Sequence, residues 1–259
     1  MRGFGAAAGL NPEVASPLAA RCQELGFSSM WSNDHPGAKG LDTLADFARG
    51  ADRIELGVAV IAVDRHDPDA IATDVDRSGL DRDRLWLGVG AGFTKKPLTT
   101  MRETLPKLRE ALPGLRLVLA AMGPKMCAFA GAEWDGVFFN WMTPEFAAQS
   151  RAHVESGARE AGREPPPVMG YVRTAVGRDA EARLDKEESF YRDLHRGYRD
   201  HFDRLGEPEG TVGVAATTPG EAQNELSRYQ ALDLVVIRAL AGATIEDMST
   251  LAEAAAPGT

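Results

Sequence analysis

Short runs rich in Val, Leu and Ile alternate along the chain with longer stretches whose apolar residues recur every three or four positions. The short runs predict strands at residues 3–9, 27–32, 54–63, 85–90, 115–121, 136–141, 168–176 and 234–239. Between them lie helix-period stripes such as Leu18, Cys22 and Leu25, or Met101, Leu105, Leu108 and Leu112, or Phe190, Leu194, Tyr198, Phe202 and Leu205. Each stripe can dry one face against a sheet. Eight nearly continuous apolar strands separated by amphipathic helices predict a (β/α)8 TIM barrel, with an open doubly wound sheet as the alternative. No linker or repeat interrupts the pattern, so residues 1–259 read as one domain. The run "REPPPV" at 163–168 reads as a helix stop, because proline cannot continue a helix and biases its predecessor to extended geometry. Residues 179–232 read as a long polar helical insertion that covers one mouth of the barrel or packs on a partner.

Charge narrows the function classes. A net charge of −9 leaves no basic stripe to neutralise phosphates, which argues against nucleic-acid binding. The apolar runs fall short of the roughly 18 residues a membrane-spanning helix needs. Residues 1–9 are strand-like and lack the layout of a secretory signal. Cys22 and Cys127 are too few for a disulfide framework or a zinc cluster, and no metal site is expected. A reducing, cytoplasmic setting is the expectation that follows.

In a barrel of this kind the C-terminal strand ends form the working face. The second strand stops on "SNDHPG", which sets Asp34 and His35 at that rim. They are either a titratable pair poised to meet a ligand or a His-Pro turn with Asp34 capping backbone. The fourth strand ends "LGVGAGF"; glycines at 88, 90 and 92 leave one surface bare for a flat ligand or for another backbone. After the fifth strand, "AAMGPKM" puts Gly123 at a turn, Pro124 at a first helical position and Lys125 behind it. That is a phosphate cradle or an ordinary strand-to-helix turn. Arg173 and Arg238 interrupt apolar strands, so each pairs with a core carboxylate or faces an anionic ligand, and Arg238 lies nearer its strand end. His66 has Asp64, Arg65 and Asp67 for a local structural network, while His153, His195 and His201 read as solvated helix positions. The signatures of serine hydrolases, zinc proteases and Walker-loop nucleotidases are missing.

Taken in order, "ELGFSSMWSNDH", "IELGVAVIAVDRHDP", "DRSGLDRDRLWLGVGAG" and "AAMGPKMCAFAGAEWDGVFFNWMTPE" resemble the bacterial luciferase-like superfamily of flavin- and deazaflavin-dependent barrel oxidoreductases. "KKPLTTMRETLPKLREAL" and "GPKM...NWMTPE" are similar to its methylenetetrahydromethanopterin reductase branch, which uses coenzyme F420. The resemblance implies a cofactor across the strand ends, its ring near Asp34, His35 and the third-strand positions Ala59 and Val60. It also implies that Gly90, Ala91 and Gly92 lie near the cofactor and that Met122, Gly123 and Lys125 flank its tail. Arg238 and Asn140 are the substrate-side candidates. Two positions depart from the family pattern. Ala59-Val60 stands where Gly-Val with a non-prolyl cis bond is common, and the tip of the first strand, "FGAAAGLNP", has no acid before Glu13. Proton handling then falls to His35, to substrate or to water, with Asp34 orienting His35 or the ring, above active-site loops that are short.

The expectation is an F420-dependent oxidoreductase moving a hydride to or from a small organic substrate. The alternatives are an FMN-dependent monooxygenase and a catalytically silent flavin- or deazaflavin-binding protein. A homodimer is expected from the family's habit.

Overall fold

The structure is a computed structural model and describes residues 1–258. Nine parallel strands run β1 (Arg2–Gly5), β2 (Ser29–Ser32), β3 (Glu55–Ala62), β4 (Leu85–Gly90), β5 (Arg116–Ala120), β6 (Gly136–Asn140), β7 (Val168–Val176), β8 (Val214–Ala216) and β9 (Leu234–Ala239). The helices are α1 (Pro12–Glu24), α2 (Gly40–Gly50), α3 (Pro68–Ser78), α4 (Pro97–Ala111), α5 (Pro124–Glu133), α6 (Pro144–Glu160), α7 (Ala180–Leu194), α8 (Arg196–Leu205), α9 (Pro219–Ser227) and α10 (Ile245–Ala254).

Strands β1 to β7 pair in sequence, β7 also pairs β9, and β9 returns to β1. This closes an eight-stranded ring, so the (β/α)8 barrel stands and the open-sheet alternative falls. The ninth strand lies outside the ring. Thr174 pairs Ala239 on one side and Val214 on the other, so β8 extends the wall beyond the tip of β6. It belongs to the stretch expected to be purely helical. With three residues it is too short to show a period of two.

Alternation along the strands separates two cores. One side packs Phe4, Met30, Leu56, Leu87, Phe139 and Ile237 against the helices. The other fills the barrel with Trp31, Val118, Phe138, Met169, Tyr171 and Val236. Trp31 and Phe138 lie 4.9 Å apart by ring centroid, and Phe138 meets Tyr171 edge-on at 4.7 Å. A barrel this narrow holds such rings only where a neighbouring strand has no side chain. A Cβ on Gly57 would stand 2.3 Å from the Trp31 ring. At the closed end Arg116 Nη1 meets Glu55 Oε1 at 2.7 Å, and its guanidinium lies 4.2 Å from the Trp86 ring centre.

The strand-to-helix turns follow one chemical plan. Six helices (α1, α3, α4, α5, α6 and α9) begin with proline, which has no amide to leave unpaired. Side chains of Asn11, Asp67, Thr143 and Thr218 cap four of them; α4 and α5 have no side-chain cap. Both cysteines are buried free thiols, in α1 and α5. Among the described residues, no helix is long and apolar enough to cross a membrane and no group of side chains could hold a metal ion.

Candidate active site at the barrel mouth

The C-terminal strand ends bring most of the predicted residues to one mouth. Just past β2, the Asp34 side chain is 5% exposed and three groups surround it. The Gly40 amide at the start of α2 donates to it at 3.1 Å, His66 Nε2 lies 3.2 Å away and Arg65 Nη2 3.6 Å away. Lys39, at the cap position of α2, makes no side-chain cap bond, and Asp34 supplies the anion there. His35 is exposed and faces the other way: its Nδ1 accepts from the Gly37 amide at 3.1 Å and its Nε2 lies 3.3 Å from the Ala8 carbonyl. This network assigns the ring proton to Nε2. The expectation that Asp34 orients His35 is therefore corrected, because the carboxylate is committed to the β3 loop and to α2. The local network expected around His66 is corrected too. Asp64 accepts from the Phe93 amide and Asp67 caps α3, leaving His66 to Asp34. Between these loops opens a cleft of ≈ 540 Å³ lined by Asp34, His35, Lys39, Arg65, His66 and Arg77.

Strand β3 bulges between Val58 and Ile61, and the Ala59–Val60 peptide bond is cis. The bulge explains the glycines of β4. A Cβ on Gly88 would lie 2.3 Å from the Val58 carbonyl oxygen, and one on Gly90 would lie 3.0 Å from Val60 Cγ2. Gly88 thus accommodates another backbone, one of the two options open in sequence, while Gly90 accommodates the half-buried Val60 side chain, which is the surface offered to the mouth there. Ala91 is buried; Gly92, at φ +63°, sits where a Cβ would strike the Asp64 carboxylate. Further round the ring, Gly123 has nothing within 4 Å of its missing Cβ. It heads α5 with no side chain on the first amides; Met122 is half-buried beside it and Lys125 exposed.

On the opposite wall Arg173 and Arg238 are neighbours in register, 2% and 8% exposed. Arg173 Nη1 donates to Asn140 Oδ1 at the end of β6, and its guanidinium lies 3.9 Å from the Trp141 ring centre and 4.9 Å from that of Tyr191. Tyr171 reaches across the barrel to donate to the Ser32 carbonyl at 3.0 Å, and Arg238 lies 5.6 Å above its ring. Trp141 holds φ +55°, a conformation bulky side chains rarely take, and it is completely covered. Its carbonyl is tied to His201 Nε2 at 2.6 Å.

A profile of the luciferase-like monooxygenase family matches residues 102–256. The chain belongs to that family. It is 25% identical over 199 residues to a 5,10-methylenetetrahydromethanopterin reductase of Methanolobus tindarius, covering 62% of this chain and 61% of the reductase. An F420-dependent secondary alcohol dehydrogenase, solved with an F420-acetone adduct, superposes with a TM-score of 0.71 at 15% identity, over 98% of both chains. The oxygenating constituent of 3,6-diketocamphane monooxygenase of Pseudomonas putida, solved with FMN, superposes with a TM-score of 0.63 at 11% identity, over 98% of this chain and 96% of its own. At these identities the two solved structures speak for the fold.

In this luciferase-like barrel the insertion does close over part of the mouth. Trp141, Leu184, Phe202 and Val212 form a small core that seats α7 and α8 above β7. His195, at the break between these helices, stacks on Phe93 of the β4 loop, ring centroids 4.2 Å apart. Neither His195 nor His201 is the solvated residue expected; His195 is half-buried, His201 is fully buried, and of the three only His153 is exposed. His201 sits one turn before Leu205 on an amphipathic helix, so its burial could have been read from the apolar stripe that the sequence shows. The roles of Trp141 and Tyr171 left no comparable signal, since aromatic residues in strands read as core. The part of the mouth left open is marked by Val60, Ala120 and Asn140, inward-facing residues that remain partly exposed.

Proposed function

We propose that the protein is an F420-dependent oxidoreductase acting on a small organic substrate at the open half of the mouth. Membership of the luciferase-like family makes it an oxidoreductase; the deazaflavin is the narrower choice, supported by the F420-dependent relatives. The observation that carries it is the pairing of two surfaces on either side of β4 at the mouth: the β3 bulge, presenting Val60, and the start of α5, with free amides behind an unobstructed Gly123. A planar ring packs on the first and an anionic tail suits the second, where helix amides and Lys125 are complementary to phosphate. When bound, the deazaflavin supplies a two-electron hydride donor or acceptor.

This chain's residues do the remainder. Val60 and the β3 backbone would back the ring, and α7 and α8 would exclude water from the β7 side. In its imidazolium form His35 would supply the proton that balances hydride transfer to a carbonyl or imine, returning to the neutral ring. Asp34 acts one step removed, fixing the β2 loop from which His35 projects.

The test is a fluorescence titration of purified protein with F420 and separately with FMN. Tighter binding of F420, with no oxygen uptake, is expected. Preferential FMN binding with oxygen consumption by the reduced complex would replace the reading with the monooxygenase one, which the FMN-bound neighbour favours. Binding without turnover on carbonyl, imine and alkene panels would leave a silent binding protein. His35→Ala should cut turnover by about 10²-fold or more while leaving F420 affinity within a few fold. Unchanged turnover would strip His35 of its role.

A further inference from the structure

The two interior arginines at the mouth are unlike the arginine at the closed end of the same barrel. Arg116 has Glu55 as counter-ion. Arg173 and Arg238 have none within 4.0 Å among the described residues, although both are more than nine-tenths buried and stand side by side on β7 and β9. Asn140 takes one Arg173 nitrogen and Tyr171 spends its hydroxyl on Ser32. Arg173 Nε and Arg238 Nη1 are left without any partner, as is Asn33 Oδ1 at the end of β2. Glu187 acts on Arg173 only from a distance. Burial, together with the neighbouring Arg238 charge, pulls the Arg173 guanidinium below its ordinary value, against the field of Tyr191. Two adjacent buried positive charges with open donors are costly unless an anion joins them.

The surroundings narrow that anion. Trp141, Tyr171 and Tyr191 enclose the guanidinium groups, a wall suited to a flat or apolar body and not to a hydrated polyanion. Gly123, the place for a cofactor phosphate, heads the helix after β5, whereas the arginines stand on β7 and β9. A guanidinium fork matches a carboxylate with two parallel hydrogen bonds.

We propose that Arg173 and Arg238 form a carboxylate-recognition subsite, taking the acid group of a small carboxylic acid with an apolar or aromatic body. Its place in catalysis rests on the mouth being the active centre; the binding itself requires no cofactor. Arg238 supplies the free donor edge, while Arg173, anchored by Asn140 and the Trp141 ring, supplies the second charge.

Thermal denaturation of cofactor-free protein with sodium benzoate, benzamide or inorganic phosphate, at matched ionic strength, tests it. Benzoate should raise Tm in proportion to the logarithm of its concentration above Kd, by about 5 to 10 °C at a hundredfold excess over its Kd, and its neutral isostere benzamide should not. Arg238→Gln should abolish the shift. Equal shifts from benzoate and benzamide, a benzoate shift that survives in Arg238→Gln, or no shift with either anion would overturn the proposal. A phosphate shift that exceeds that of benzoate and depends on Arg238 would overturn the carboxylate assignment in favour of phosphate. Arg238→Met, without ligand, should melt at or above the wild-type temperature, because it removes an uncompensated buried charge. A clear fall, or failure to fold, would mark Arg238 as structural and overturn the subsite. None of these readings uses F420, so failure of the F420 titration leaves this result interpretable, and the reverse holds.

Discussion

Gly123 is where a single side chain should separate stability from ligand binding. Its missing Cβ meets no atom within 4 Å, and α5 starts there without a side-chain cap. Gly123→Asp would place a carboxylate on the very amides assigned to the cofactor tail. A capping carboxylate is at least as good as glycine there and adds up to about 1 kcal/mol through the helix dipole. The variant should therefore keep or raise its Tm while F420 affinity falls tenfold or more, read by fluorescence titration. Unchanged affinity would place the tail elsewhere. Asp34 should behave in the opposite sense. Its carboxylate, 5% exposed, meets the Gly40 amide, His66 and Arg65. Asp34→Asn should cost about 1–3 kcal/mol in denaturant unfolding, by leaving those donors poorly matched. Both residues could be picked from the sequence as rim positions, because the strand that precedes each is plain. Their partners could not: His66 is 32 residues from Asp34, and it is the pairing of β2 with β3 that makes the second and third loops neighbours.

At the scale of elements, the strands were readable and the reason for their glycines was not. Most of the ring strands are apolar runs that the sequence pattern reports directly, while β1 (RGFG) and β2 (SMWS) are four residues each and shorter than the runs at 3–9 and 27–32 predict. A glycine in such a run signals only that something approaches closely. The something turned out to be the Val58 carbonyl for Gly88 and the Trp31 ring for Gly57, both supplied by an adjacent strand. Gly57→Ala tests this packing. Its added methyl would stand 2.3 Å from an indole that has Phe138 at its back, so the ring cannot simply retreat. Overpacking of this kind should cost about 1–3 kcal/mol in denaturant unfolding, and a loss below about half a kcal/mol would mean the barrel interior is looser than described. The strand β8 escaped notice for the reason that the ring strands did not: three residues carry no period, and its place is set by the overhang of β7.

Over the whole molecule, the pH dependence of stability should carry the imprint of one residue that closes the mouth. His201 of α8 is fully buried, its Nε2–H given to the Trp141 carbonyl and its Nδ1 accepting from Arg204 at 3.2 Å. Burial first, and then the Arg204 charge, hold it down at about 4, against the pull of the Trp141 carbonyl, from an ordinary 6.5. In the unfolded chain the imidazole takes a proton near 6.5; in the folded protein it refuses one until about 4. The unfolded state thus binds more protons across that window, and stability must fall as the pH falls through it. The contribution is whole above 6.5, erodes by up to about 1.4 kcal/mol per pH unit below it, and is exhausted near 4. Carboxylates add their own acid slope in the lower part of this range, so the informative quantity is the difference between wild type and His201→Gln. Glutamine can still donate to the Trp141 carbonyl but does not titrate. Urea unfolding free energies of the two should run parallel above pH 7 and converge as the pH is lowered from 6.5 toward 4. Parallel curves throughout would mean that His201 is protonated as readily in the folded protein as in the unfolded one, and that the helical cover over β7 is open enough to admit water.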